Sequence, residues 1–284
     1  MYQLDCYAIS HIGRRRRKQE DHFYLCETVN RDMTQTGDIS PLENPVITMH
    51  YTYALDRERF IAVSDGMGGH SGGEIASRTV VENLSAIEKA VRYRSSREEP
   101  TEIINQMIVL INDLILKLSE RESELHDMGA TLAGVFFLEG QALTVNIGDS
   151  RVYLMRSGKL TRLTEDHTEK QMLSRIGVNP ETSAGKGRLM KYLGYKKENG
   201  RLMADIIPVS GLYPGDRFLV CTDGLTDEVT DQRIEGIMCK HSNSEEALNE
   251  LIQAALVGQE GNGGRDNITA IIVEVINIMD EILC

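Results

Sequence analysis

The chain has no uninterrupted apolar run near the roughly 18–20 residues of a membrane span, and Met1-Tyr-Gln-Leu-Asp-Cys6 lacks the basic and apolar regions of a secretory leader. A cytoplasmic location without membrane association is therefore expected. Cysteine is scarce. Cys6, Cys26, Cys221, Cys239 and Cys284 form an odd, scattered set with no CxxC pair, which argues against a disulfide framework and against a structural zinc site. None of them is followed six positions later by arginine, so the phosphate loop of a cysteine-dependent phosphatase is missing. Gly66-Met-Gly68 does not continue as GxGxxG, and Gly185-Lys186 is followed by Gly where a P-loop needs Ser or Thr. Positive charge is in deficit: 31 Lys and Arg against 43 Asp and Glu give −12, which disfavours nucleic acid and anionic membranes as partners. No internal repeat, low-complexity linker or appended module interrupts the 284 residues, and a single domain over 1–284 is the economical reading.

What the chain does have is a series of apolar runs stopped by aspartate. Phe60-Ile-Ala-Val-Ser-Asp65-Gly-Met-Gly-Gly-His70 reads as a strand, a tight turn and the approach to a helix. Asn146-Ile-Gly-Asp149 and Arg217-Phe-Leu-Val-Cys-Thr-Asp223-Gly repeat the theme, and Gly263-Gly-Arg-Asp266-Asn introduces a last strand at Ile268. Carboxylates gathered at one rim repel one another and need cations. Oxygen-only ligation by aspartates and a carbonyl such as that of Gly66 selects Mg²⁺ or Mn²⁺ over zinc. Pattern alone leaves open whether these strand ends converge.

The rest of the chain reads as alternating blocks. Strands are expected over 2–12, 21–29, a stretch before 56, 131–138, 142–147, 152–155, 217–221 and 268–276. Asp32–Pro45 reads as a surface loop. One helix is expected from Gly73 to Val91 and a second from Glu102 to Arg121, with Ile103, Met107, Ile111, Leu114 and Leu118 as its main stripe and Ile104, Ile108 and Ile115 widening it. Ser242 and Glu245 fit a capping box before a helix over Ala247–Val257. Residues 165–205 read as a mobile surface element with one short helix. The basic run Arg14-Arg-Arg-Arg-Lys18 and its sequel Gln19-Glu20-Asp21, if extended, would place cations and carboxylates on both faces. The class implied is α+β, with antiparallel strands in two layers and helices outside them.

Taken in order, Arg16-xxx-Glu20-Asp21, Val63-Ser-Asp65-Gly-Met-Gly-Gly-His70-xx-Gly-Glu-xx-Ser77, Gly129-Ala-Thr131, Asn146-Ile-Gly-Asp149-Ser-Arg151, Leu163-Thr-Glu-Asp-His167, Cys221-Thr-Asp223-Gly-Leu-Thr-Asp227 and Arg265-Asp266-Asn267-Ile-Thr269 resemble the metal-dependent protein phosphatases of the PPM, or protein phosphatase 2C, family, most closely its bacterial branch. The resemblance spans about residues 10–275. It implies two antiparallel β-sheets forming a central sandwich flanked by helices on both sides, and hydrolysis of phosphoserine and phosphothreonine in proteins. Carried over residue by residue, it makes Asp65 the carboxylate bridging two Mn²⁺ or Mg²⁺ ions, with the Gly66 carbonyl on one and Asp223 and Asp266 on the other. Glu20 and Asp21 match the acidic pair near that centre, Asp149 the holder of a third ion, and Arg16 the phosphate-binding arginine. Animal members carry a histidine, the proposed leaving-group acid, where this chain has Met67; His70 stands three residues on and is available for that role, as is a metal-bound water. Residues 170–205 match the variable flap, where Lys186, Arg188, Lys191, Lys196 and Lys197 offer steering charge, and His167 is assigned to structure. The implied partners are phosphorylated proteins that are substrates of a serine/threonine kinase, met by a monomer. A non-catalytic phosphoprotein-binding regulator and a small-phosphoester hydrolase are the alternatives.

Overall fold

The computed structural model describes residues 2–25, 28–29, 46–68, 72–138, 140–178, 188–196, 200–258 and 261–277. The chain opens with strands β1 (Tyr2–His11), β2 (Asp21–Leu25), β3 (Thr28–Val29), β4 (Val46–Ala54) and β5 (Arg59–Met67). Helices α1 (Gly72–Glu82), α2 (Leu84–Arg92) and α3 (Pro100–Arg121) follow. A meander of β6 (Gly129–Ala130), β7 (Leu132–Leu138), β8 (Gln141–Ile147), β9 (Arg151–Arg156) and β10 (Lys159–Arg162) leads to α4 (Glu169–Arg175) and β11 (Asp205–Val209). The last stretch contains β12 (Arg217–Cys221), α5 (Asp223–Thr226), α6 (Asp231–Lys240), α7 (Ser244–Val257) and β13 (Ile268–Asn277).

Among the described residues the strands form two antiparallel sheets, ordered β10-β9-β12-β13-β1-β4 and β11-β8-β7-β5-β2-β3, with β6 paired to β5. Strict alternation fills three layers of core. On β5, Ile61 and Val63 face the opposite sheet and meet Leu4, Phe218 and Ile271, while Phe60 and Ala62 face helices α1–α3. Tyr153, Leu219 and Ile272 do the same for the other sheet and pack under α6 and α7. Edge-on aromatic pairs fix both layers: Phe137–Phe218 across the sandwich and Phe60–Phe136 toward the helices, each with centroids 5.4 Å apart. The α+β sandwich with helices on both sides is therefore the observed architecture.

Several local expectations change. The helix expected over Gly73–Val91 is two helices, because the Asn83 side chain donates to the Thr79 carbonyl at 2.7 Å and competes with the helical ladder. On α3 the widening residues Ile104, Ile108 and Ile115 form the core face with Ile111, while Leu114 lies more than a third exposed. The face is set by Asn105 and Asn112, whose amides bond the returning chain at Ala204, Gly194 and Tyr195. Those bonds, and the pairing of Ala130 with fully buried Leu193, fasten residues 188–196 and 200–204 of the expected mobile element to the body. The cap of α7 is Asn243, not Ser242. Its Oδ1 accepts from Glu246 N–H at 3.0 Å, and the Ser244 hydroxyl bonds Glu274 instead. Strand β11 escaped notice because its exposed residues and Pro208 hide the alternation. The loop expected over Asp32–Pro45 lies outside the described residues.

Candidate metal centre

At one end of the sandwich, Arg16, Glu20, Asp65, Gly66, Asp149, Asp223 and Asp266 line a single hollow of about 310 Å³, joined there by Met67, Gly68, Thr131 and Leu189. The convergence that pattern alone left open is thus present in the fold. Each side chain arrives on a stiff support. Asp65 lies on central strand β5, Asp223 begins α5 where β12 ends, Asp149 follows β8, and Asp266 precedes β13. Asp21 is the direct cross-strand neighbour of Asp65 but sits behind the wall, buried, with its carboxylate accepting from the Thr222 hydroxyl at 2.8 Å. His70 lies outside the described residues.

A ring of small polar side chains aims these groups. Thr131 accepts from Asp65 N–H at 2.9 Å and bonds the Ser150 hydroxyl at 2.7 Å, tying the loops of Asp65 and Asp149 together. Asn267 accepts from Glu20 N–H and donates to the carbonyls of Ile12 and Lys18, all within 3.0 Å, so one amide spans the base of the Arg14–Lys18 segment. That segment is a succession of turns, not an extended strand, because its backbone partners are Asn267 and Gly264 instead of a neighbouring strand. His167 accepts from Gly148 N–H at 2.9 Å through Nδ1 and meets Asp205 through Nε2, bracing the turn before Asp149. Thr131, Thr222, Asn267 and His167 all stand in the quoted motifs, His167 as a structural residue and the others without a role. For Thr131 and Thr222 the signal is a hydroxyl next to a strand end, too common to single out.

The Gly66 carbonyl is reached only because two glycines meet. A Cβ on Gly66 would lie 1.9 Å from the Gly73 carbonyl, and one on Gly73 would lie 2.8 Å from Glu20 Oε1. Gly66 N–H and the Ser77 hydroxyl both donate to the Glu20 carbonyl, locking the acidic pair's backbone beside β5.

Electrostatically the hollow is under tension. Burial pushes the Asp65 carboxyl well above the usual carboxylate range, and Asp21, Asp223, Asp266 and Asp149 push it further by repulsion. Burial raises Asp149 to about 8, with Asp223 and Asp166 adding to it, and raises Asp223 to about 6, with Asp227 and Asp266 adding. Asp21 is likewise raised to about 8 by burial. Among the described residues Arg16 is the cation that lines the hollow, bonding Asp266 at 2.5 Å and standing 3.9 Å from Glu20. One guanidinium against this many carboxylates leaves a large surplus of negative charge.

The residues fit a hard divalent cation. Asp223 Oδ1 is buried without a hydrogen-bond partner among the described residues, an arrangement costly for an acceptor that nothing else satisfies. The donor set of carboxylates and a backbone carbonyl, with no thiolate or imidazole lining the hollow among the described residues, suits Mg²⁺ or Mn²⁺. Among the described residues no three His, Cys, Asp or Glu side chains form a closed ligand cluster, so the fit rests on donor chemistry and charge instead of preset coordination.

Comparison with known proteins agrees. A family model described as protein phosphatase 2C matches residues 49–258. The serine/threonine phosphatase stp of Listeria monocytogenes is 33% identical over 223 residues, covering 77% of this chain and 85% of its own. PstP of Mycobacterium tuberculosis, a serine/threonine protein phosphatase, is 33% identical over 224 residues, with 41% of its length covered. Among solved structures, the catalytic domain of PstP in complex with two manganese ions superposes with a TM-score of 0.72 at 27% identity, over 98% of this chain and all of that one.

Proposed function

The chain belongs to the protein phosphatase 2C family and is a metal-dependent serine/threonine protein phosphatase acting on phosphorylated proteins; from that premise we propose how its own residues divide the work. Mn²⁺ or Mg²⁺ bound in the hollow supplies Lewis acidity, making water acidic enough to attack at neutral pH and offsetting the charge of the phosphoryl group.

Asp65, Gly66, Asp223 and Asp266 hold two ions, with Glu20 lining the same wall and Asp21 supporting it from behind. Asp149 holds a third. Arg16 grips the phosphate: its planar fork matches two phosphate oxygens, and its tether to Asp266 and Glu20 keeps it poised at the mouth of the hollow. The protein contributes orientation and charge, and no side-chain nucleophile is needed. His70 is assigned the protonation of the departing serine or threonine oxygen, since Met67, which lines the hollow at the position of the animal histidine, has no proton to give. The observation that carries this reading is the shared hollow itself, in which carboxylates from β5, α5 and three loops meet Arg16.

The whole chain, 1–284, is taken as one phosphatase domain because β1 and β13, from its two ends, pair along their full length inside the sandwich. The flap is assigned to about 165–205. No helix among the described residues is long and apolar enough to cross a membrane. A cytoplasmic monomer is the reading adopted, and the acidic charge balance supports the absence of nucleic-acid and anionic-membrane partners.

Activity on a phosphothreonine peptide and on a small aryl phosphate, with and without Mn²⁺, tests the assignment. Turnover of the peptide should vanish with a chelator and return on adding Mn²⁺. Cleavage of neither substrate would indicate a binding regulator, and strong preference for the aryl ester a small-molecule hydrolase. Arg16→Ala should raise KM for the peptide by about 10-fold or more through loss of a charge-assisted bidentate grip; unchanged KM and kcat would remove Arg16 from the site.

A further inference from the structure

The segment that delivers Arg16 is unusually basic and unusually well anchored. Arg14, Arg15, Arg16, Arg17 and Lys18 are all exposed in a chain that carries twelve more acidic than basic residues. Its backbone is fixed at both ends: Asn267 donates to the carbonyls of Ile12 and Lys18, and Arg14 N–H donates to the Gly264 carbonyl at 2.7 Å. Gly13, at φ +83°, lets the chain pass directly over Asp266, where a Cβ would lie 2.1 Å from the Asp266 carbonyl. The turn is therefore a rigid bracket on the rim of the hollow, not a loose basic tail.

Within it only Arg16 lines the hollow. Arg15 and Arg17, its immediate neighbours, make no side-chain hydrogen bond or ion pair among the described residues, and structural need does not explain them. The cations of the flap differ. Lys191 is held by Asp205 at 2.6 Å and Lys196 by Asp127 at 3.1 Å, so two of the charges expected to steer a substrate from that side are already engaged within the protein.

Resting on the phosphatase reading above, the geometry points to Arg15 and Arg17 as a recognition site for a second anionic group on the substrate, adjacent in sequence to the phosphorylated residue. The substrate class is thus a phosphoserine or phosphothreonine flanked by a carboxylate or by another phosphate. The chemistry follows from placement. A peptide whose phosphate is drawn toward Arg16 brings its neighbouring side chains to the exposed turn that carries Arg15 and Arg17, whose guanidinium groups offset the repulsion an acidic sequence meets from the carboxylates of the hollow. Anchoring the bracket in advance lowers the ordering cost of those contacts.

The test uses the full chain with Mn²⁺ and four substrates: phosphothreonine peptides whose neighbouring residue is Glu, Gln or a non-hydrolysable phosphonate analogue of phosphoserine, and a small aryl phosphate. Wild type should show a KM about five-fold lower for the anion-flanked peptides than for the Gln peptide, fading at high salt as exposed charge pairs are screened. Arg15→Ala/Arg17→Ala should abolish that preference while leaving kcat and aryl phosphate hydrolysis unchanged, and Arg15→Lys/Arg17→Lys should retain most of it. Which anion gains more identifies carboxylate or phosphate as the source recognised. Equal KM for the Glu, phosphonate and Gln peptides in wild type would overturn the inference, as would a double-alanine variant slowed equally on the aryl ester. If none of the four is hydrolysed, the phosphatase assignment fails. Fluorescence anisotropy of the labelled Glu peptide then still decides the inference: binding weakened about five-fold in the double-alanine variant supports it, and binding unchanged rejects it.

Discussion

Asp223→Asn is expected to lower kcat on a phosphothreonine peptide by roughly 10³-fold or more, the scale of losing a central electrostatic contact in a water-excluded site. Asparagine keeps the size and shape of the side chain but removes the charge, and Asp223 Oδ1 is a buried acceptor without a hydrogen-bond partner among the described residues. The fold should survive. Asp223 begins α5 beneath the packed β12–β13 pair, and none of the backbone bonds that fix α5 depend on its carboxylate: Leu225 N–H donates to the Thr222 carbonyl, and Asp227 N–H to that of Asp223 itself. Circular dichroism unchanged from wild type, together with loss of calorimetric Mn²⁺ binding, would show that the defect lies in the metal centre. Activity within a few-fold of wild type would remove Asp223 from it.

The sequence made this residue visible because strand ends are where patterning is most legible. A short apolar run such as Phe218–Cys221, bounded by polar residues and too brief for a buried helix, reads as a buried strand, so the polar residues that close it stand at a rim. The same logic located Asp65, Asp149 and Asp266, and the order of the motifs supplied what spacing lacks, namely which rims coincide. Less legible were features decided by partners remote in the chain. Nothing near Arg14–Lys18 announces that Asn267, some 250 residues away, will bend it into a bracket. Asn105 and Asn112 look like ordinary polar positions of a helix until the chain at 194–204 returns to take their amides. Asn83 splits a helix whose apolar spacing runs through the break undisturbed. In each case a single side-chain amide satisfies backbone groups that periodicity does not count.

The metal-free protein should become less stable as pH rises from about 7 to about 8.5, the reverse of a fold held together by salt bridges. Asp21 and Asp149 carry folded-state values near 8, raised first by burial, against about 3.8 for an unperturbed aspartate. A carboxyl whose folded value is raised favours the folded state most below its unfolded value, and that contribution is lost as pH climbs through the folded one. A window above neutrality removes the lowered imidazoles from the balance, whereas His241, raised by its bonds to Glu250 and Glu246, adds to the loss in the same direction. His11, His22 and His167 are all lowered by burial, so they are uncharged there in the folded protein and nearly so when unfolded. Two groups releasing protons across this window amount to about 2 kcal/mol, or roughly 5 °C in Tm for a chain of this size. Adding Mg²⁺ should reverse the slope, because a cation binds the ionised carboxylates and its affinity grows as they lose protons. Asp149→Asn should flatten the metal-free slope and raise Tm at the alkaline end, since it deletes one of the charges being forced together. A metal-free Tm that rises over this range, or an Asp149→Asn variant with the wild-type slope, would mean that the carboxylates are not crowded as the hollow places them.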